Sequence, residues 1–392
     1  MIVIPWSHIQ FVTLFIMRLI FSFLVFLVFL VTSSQSFAQT PARFFTLDAT
    51  PNLANMSDFK ASALCDVADE TQRYLTKFTA DKFAVHAGTV FDESVTLAKV
   101  KKTLAFICQT YREDVLKKRY SRLHDTQFLI DNFNFYRWTP DIKTAREIAL
   151  KSTNASKSRM LNTIPSDKIF LTKYYTKLLT ASAVKTPQYD QALYALPYDE
   201  LALTLEAANE DLSLTRHKYT RQDIIAGVLE EKKLAKPLIW LTEEALHDVL
   251  LQGTGVVEVD GVRRYFNVHR NNGIAYDYAI GKREQARYWY FSEVPSIMGY
   301  GETLDSKIAI SPHVSFAGNV AELGLGKLFM VSYDQGDEKI SRLGVLADQG
   351  GAFDNNLFQL DLLVDSYYGW QDYHKANKHL PDYANAWLML VK

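Results

Sequence analysis

The chain has 392 residues, 48% hydrophobic and 22% charged, with a formal net charge of −1. This composition excludes a disordered or collagen-like protein, and without a basic footprint no nucleic-acid partner is expected. The length points to two domains or to one elaborated domain.

At the N-terminus Arg18 precedes an uncharged run from Leu19 to Thr32, and Ser36-Phe37-Ala38 offers small residues before Gln39. Basic, apolar, then small is the order of a secretory signal, so residues 1–38 are expected to be removed and the mature protein to lie in the periplasm. The run is shorter than the roughly 20 residues of a spanning helix. Met17-Arg18 makes a better start than Met1. The competing reading is an uncleaved anchor from Met1, which Arg18 would interrupt. No Cys follows the run, so no lipid attachment is expected.

From Ser57 to about Leu150 the pattern is helical, with few Gly or Pro. Leu64, Val67, Thr71, Tyr74 and Phe78 share one stripe; Leu97, Val100, Leu104, Ile107, Cys108, Tyr111 and Val115 share another. Cys65 and Cys108 either bridge two packed helices or remain as two buried thiols. Thr163 to Ser166 reads as a break. Short strand-like runs follow at 169–175, 189–196, 255–259 and 264–269, with helices expected at 221–232 and 243–251. After Pro295 strands return at 308–310, 327–332, 343–347, 357–363 and 386–391. Many short strands with glycine-marked turns favour a barrel or sandwich over a doubly wound sheet.

The nine histidines lack ligand spacing, with no His-Glu-x-x-His and no Cys-x-x-Cys, so neither a metal nor another cofactor is expected. No Gly-x-Ser-x-Gly elbow occurs. Gly324-Leu325-Gly326 and Gly253-Thr254-Gly255 read as turn glycines, because strand patterns follow them. In Lys173-Tyr174-Tyr175-Thr176, neighbouring tyrosines on a strand face opposite ways, so one can pack while the other lines a groove. Asp348 precedes the pair Gly350-Gly351, which suits positive φ or close approach of a ligand. Asp361 then falls within the apolar run 357–363. It either faces solvent or stands in an apolar wall; in the wall its pKa rises toward what a general acid needs.

In order along the chain these segments resemble the membrane-bound lytic transglycosylase A (MltA) family. Phe170-Leu171-Thr172-Lys173-Tyr174-Tyr175-Thr176 is similar to its Phe-x-Gly-Tyr-Tyr-x-Pro strand, and Tyr194 to Pro197 to its Pro-Leu-Tyr-x-x-Pro segment. Thr220-Arg221, Ile224 to Gly227, Leu238 to Leu241 and Leu251-Gln252-Gly253-Thr254-Gly255 follow in the family's order, then Pro295-Ser296. Asp348-Gln349-Gly350-Gly351-Ala352 and Asp361 resemble the last two aspartates of its C-terminal "3D" segment, and Ala386 to Lys392 its closing strand.

The resemblance implies a mainly β protein with an N-terminal helical region. A double-psi β-barrel would be built from residues 39–179 and 293–392, with a second β-barrel domain inserted at 180–292 and a glycan groove between them. It implies peptidoglycan glycan strands as substrate, cleaved between N-acetylmuramic acid and N-acetylglucosamine with formation of a 1,6-anhydro ring. Asp361 would act alone as acid and then base, supported by Asp348. Thr172, Tyr174, Tyr175, Thr176, Gln252, Gly253, Gly350 and Gly351 would line the groove. A monomer is expected, with outer-membrane or wall-associated proteins as further partners. The departures are Ser311 in place of the first aspartate, Lys173 in place of Gly, Lys177 in place of Pro, Val294 in place of Asn, and Phe353-Asp354-Asn355 after the glycine pair. They keep two other readings open: a non-catalytic wall-binding protein on the same fold, and an expansin-like protein that loosens glycan without cutting it.

Overall fold

The computed structural model describes residues 44–350, 353 and 355–392; the expected signal segment, Gly351 and Asp354 lie outside them. The first elements are strands β1 (Phe45–Asp48) and β2 (Asn55–Met56) and helices α1 (Ala61–Lys77) and α2 (Leu97–Leu116). The two helices pack through the expected stripes, with Leu64, Val67, Thr71, Val100, Leu104 and Ile107 all fully buried; Leu75 joins them, and Val115 at the end of the second stripe is exposed. Cys65 and Cys108 sit where the stripes meet and are joined by a disulfide, their Cα atoms 4.7 Å apart. Helix α3 (Thr126–Asn132), capped by the Asp125 carboxylate, runs straight into β3 (Phe133–Trp138). This strand lies inside a stretch expected to be helical. Its aromatic residues favour a pleated surface, and pairing with β1 supplies the ladder. Helices α4 (Ile142–Lys151) and α5 (Ala155–Asn162) lead to the long strand β4 (Ile169–Thr180).

Next come β5 (Gln191–Pro197), α6 (Leu205–Glu210), α7 (Arg221–Ile225), α8 (Val228–Glu231), β6 (Ala235–Leu241), α9 (Glu243–Gln252), β7 (Thr254–Val259), β8 (Val262–Asn271) and β9 (Trp289–Val294). The single helix expected over 221–232 is broken at Gly227, whose φ of +98° ends α7 and starts α8. These elements enclose a core of their own around Leu193, Ile239, Leu241, Val257, Phe266 and Tyr288. The Glu200 carboxylate, fully buried, meets Arg216 at 3.0 Å and Arg270 at 3.2 Å. Strand β7 pairs in parallel with the end of β4, so this sheet continues out of the main one.

The last part of the chain supplies β10 (Ile297–Met298), β11 (Ala309–Ile310), β12 (Ser315–Ala317), α10 (Val320–Leu323), β13 (Leu328–Gln335), β14 (Glu338–Asp348), β15 (Gln359–Tyr367), α11 (Trp370–Asn377) and β16 (Tyr383–Val391). Strand order β16-β13-β14-β12-β15-β4 returns to β16 through Tyr383↔Phe170 and Ala384↔Ile169, which closes a six-stranded barrel. Two of its pairings, β12–β14 and β15–β4, are parallel. Leu343 to Ala347 and Leu360, Leu362 to Val364 are buried on both faces, which explains their near-continuous apolar runs. The fold is mainly β with helices around a closed barrel, as the sequence implies. Among the described residues no helix is long and apolar enough to cross a membrane.

Candidate active site

Register creates the site. Asp361 on β15 lies opposite Thr172 on β4 and Ala317 on β12, and Ala317 in turn lies opposite Asp348 on β14. Partners in register project to the same face, so Thr172, Asp361, Ala317 and Asp348 form one row across four strands. Two strand spacings set the aspartate backbones roughly 10 Å apart, with only the Ala317 methyl between them.

Asp361 is half-buried, with one oxygen of its carboxyl turned into this wall. Its Oδ1 is buried and has no hydrogen-bond partner. Burial is the main influence and lifts its pKa to about 7; Thr172 pulls the other way, the Asp348 charge adds to the rise, and Lys173 opposes it. Asp348 is also lifted by burial, to about 6, against the lowering effect of its hydrogen bonds and of Lys307. Its Oδ1 accepts from the Gln349 amide at 2.8 Å and its Oδ2 from the Tyr174 hydroxyl at 2.9 Å. Burial, then the Asp348 charge, pushes the Tyr174 phenol well above its ordinary value. Two interacting carboxyls near neutrality share their protons, and the one with a free oxygen is Asp361.

Strand β4 sorts the remaining residues by face. Thr172 accepts from Gln359 Nε2 at 2.7 Å and donates to the Leu360 carbonyl at 3.4 Å. Tyr174 reaches Asp348, whereas Tyr175 points the other way and stacks on Tyr373 at 4.5 Å. Lys173 shares the Tyr175 side. Its ammonium donates to the Pro381 carbonyl at 3.0 Å and to Asp382 Oδ1 at 3.2 Å, so it leaves the Thr172–Tyr174 face free. The Thr176 hydroxyl lies 2.6 Å from that of Ser366. Gln252 and Gly253 belong to the far end of the strand. Gln252 Oε1 accepts from the Lys177 amide at 3.3 Å, and Gly253, with φ +74°, ends α9. Lys177 is about 17 Å along the strand from Thr172, so these two residues do not join the aspartate row. At Gly350 the close approach is made by Phe353: a Cβ there would lie 2.7 Å from the ring. Ser311 donates its amide to Ser315 Oγ at 3.1 Å.

The sequence reading did not single out Ala317, Lys307 or the wall behind Asp348. Tyr300 donates its amide to the Ala347 carbonyl at 3.1 Å, next to Asp348. Its hydroxyl and that of Tyr74 both donate to Asp81 Oδ2, at 2.9 and 2.8 Å, and Arg73 donates to the Lys307 carbonyl at 2.9 Å. Helix α1 and the loop after it thus clamp residues 300–307. Beyond that loop, a cavity of about 640 Å³ opens between residues 302–305 and His269 and Arg270 of β8 and Trp289 of β9. Neither aspartate lines it, so the chemistry is assigned to the row. Among the described residues one group, Cys65, Asp69 and Cys108, has metal-ligand spacing, and its two sulfurs are bonded to each other.

Residues 170–287 match the family model described as the MltA specific insert domain. Comparison with curated proteins finds no match. Among solved structures, Escherichia coli MltA with bound chitohexaose is 13% identical, with 89% of this chain and 94% of that one covered and a TM-score of 0.46. The membrane-bound lytic murein transglycosylase of Agrobacterium tumefaciens is 15% identical, with 83% and 91% covered and a TM-score of 0.46. MltA of Neisseria gonorrhoeae is 13% identical, with 88% and 92% covered and a TM-score of 0.48. The family match thus covers residues 170–287, from strand β4 to the segment just before β9.

Proposed function

We propose that the protein is a lytic transglycosylase that cleaves the MurNAc–GlcNAc β-1,4 bond of peptidoglycan and leaves 1,6-anhydromuramic ends. The observation that carries this is the buried, unpartnered Oδ1 of Asp361 beside an Asp348 whose two oxygens are both engaged. A carboxyl lifted to about 7 is still half protonated at neutral pH and can give its proton to the glycosidic oxygen as the C1–O bond breaks. The resulting carboxylate then takes the proton of the muramyl C6 hydroxyl as O6 bonds to C1. The proton returns to Asp361 and no water is consumed. The paired-carboxylate routes of hydrolases need a second free carboxylate, and Asp348 is held by Tyr174 and Gln349. Its role is to keep Asp361 protonated through its charge.

The protein would work in the periplasm, where murein lies and where a Cys65–Cys108 bridge persists. Mass analysis of murein digested by the mature protein tests the reaction. Anhydromuramyl products are expected; reducing-end muramic acid would mean hydrolysis. A non-catalytic glycan binder is the second reading, favoured by Ser311, and total absence of product in the same assay would select it.

A further inference from the structure

Helix α2 ends in open solvent. From Val115 to Tyr120, six consecutive residues, Val-Leu-Lys-Lys-Arg-Tyr, are all exposed. Leu116 is 82% exposed, Tyr120 75% and Val115 55%, so three large side chains with apolar surface share one tip with Lys117, Lys118 and Arg119. Residues 112–122 hold five basic and two acidic side chains, in a chain whose net charge is −1. Both acids are engaged: Asp114 by Arg119 and Arg122, and Glu113 by Arg122 at 3.0 Å. Among the described residues, neither Lys117 nor Lys118 has an ion-pair partner. The needs of a helix end account for part of this, because cations favour a C-terminus and the arginines tie the end of α2 to the loop behind it. They leave the projecting leucine unexplained. They also leave Lys118, whose φ of +49° is a left-handed position that glycine fills at lower cost. The Lys118 amide donates to the Val115 carbonyl and the Arg119 amide to the Asp114 carbonyl, each at 3.0 Å, so the turn is fixed with the lysine exposed on it. Tyr120 is held as well: its ring lies 4.6 Å from His124, which stacks on Phe59 at 4.1 Å. Beside the tip, a cavity of about 320 Å³ is lined by Lys60, Ser62, Arg119 and Ser121, with Asp58 and the engaged Asp114 as its acids.

A fixed tip that mixes bare apolar side chains with cations fits the boundary of an anionic phospholipid layer. The apolar groups enter below the headgroups, and the lysines reach the phosphates on long stems. The neighbouring cavity offers a headgroup phosphate the charges of Lys60 and Arg119. A second copy of the chain fits poorly. Two like-charged tips repel, and three side chains fall far short of the about 800 Å² per partner that a stable interface buries. We propose that the tip of α2, Val115 to Tyr120, docks the protein on an anionic phospholipid surface, with Lys60 and Arg119 taking a headgroup phosphate.

Co-sedimentation of the mature protein with vesicles tests it, comparing phosphatidylglycerol–phosphatidylethanolamine with neutral phosphatidylcholine. Binding is measured without turnover, so the outcome is independent of the Asp361 reading. The anionic vesicles should bind the protein more tightly by at least about 25-fold, and high salt should release it. A lysine near an anionic surface is worth about fivefold in affinity, so Lys117→Gln combined with Lys118→Gly should weaken binding by about 25-fold, and Lys60→Gln by about fivefold. Leu116→Ser should weaken it by about tenfold through lost apolar burial. Thermal melts of these variants should not fall below the parent's, since Leu116 is mostly in solvent and the backbone at 118 suits glycine. Equal binding to neutral and anionic vesicles, or variants that bind as tightly as the parent, would overturn the docking surface. So would a parent that stays in the supernatant with both. Loss of self-association at unchanged vesicle affinity would assign the tip to contact between copies and overturn it too.

Discussion

Asp114 and Asp361 are both carboxylates withdrawn from water, and they differ in what meets their oxygens. Asp114, at the end of α2, is 1% exposed in its side chain and accepts from Arg119 at 2.6 Å and from the Arg122 guanidinium and amide, each at 2.8 Å. Burial, the largest single influence, would raise its pKa; the Arg122 amide and the two guanidinium groups overcome it and hold the group below its ordinary value. Asp361 has the burial with only Thr172 as a hydrogen-bonding partner against it, and it rises instead. The same side chain is structural in one setting and chemically poised in the other, and the donor count separates them.

The comparison can be broken in order of expected size. Asp361→Asn should remove murein cleavage by about 10²–10⁴-fold or more, since Asn keeps the shape but cannot exchange the proton. Near wild-type turnover in the Asn variant would place the acid elsewhere. Asp114→Ala should instead destabilise the fold by about 1–3 kcal/mol, because it removes a buried acceptor shared by two guanidinium groups and the Arg122 amide, and chemical denaturation measures it. A change near zero would show that Asp114 is no keystone of the helix end.

The pH dependences should run in opposite directions. Asp361 and Asp348 are raised in the fold, so their stabilising contribution is complete below about pH 4 and is lost as pH climbs through about 6 and 7. Asp361→Asn should therefore stabilise the protein above pH 7, on the order of 1–3 kcal/mol, with the gain fading toward pH 4. Asp114 is depressed, so its contribution holds at neutral pH and is lost as pH falls below the usual carboxylate range. Melting curves across pH 3–9 for the two variants would expose parallel slopes if the contrast is false. The smallest effect belongs to Tyr174→Phe. It removes a bond of about 1 kcal/mol to Asp348, whose pKa should rise, and the pH–rate profile should move by less than about one unit. An unmoved profile would uncouple Tyr174 from the site.

Much of the scaffold was legible because its strands announce themselves. The apolar run 357–363 and the Lys-Tyr-Tyr-Thr segment are strands in the fold, and Tyr174 and Tyr175 do face opposite ways. What the sequence withheld depends on pairing between distant segments. That Asp361 meets Thr172, and that both aspartates flank Ala317, follows from register and from no local pattern. Strand β3 was hidden by the helices around it, and Gly227 alone signalled the break in the 221–232 helix. That Lys173 turns away from the Thr172–Tyr174 face required knowing which side of β4 its stem takes and that the 380–382 carbonyls wait there.

Closure of the barrel has a consequence in time. The final strand, β16, touches β13, β3 and β4 at once, so the ring cannot shut until Tyr383–Val391 has been delivered. Every residue of the aspartate row is made earlier, and none is framed by a finished barrel until then. Assembly is therefore dominated by contacts between remote parts of the chain, which makes it slow and keeps the polypeptide open during synthesis. The aspartate row therefore has no finished frame until the final strand is in place.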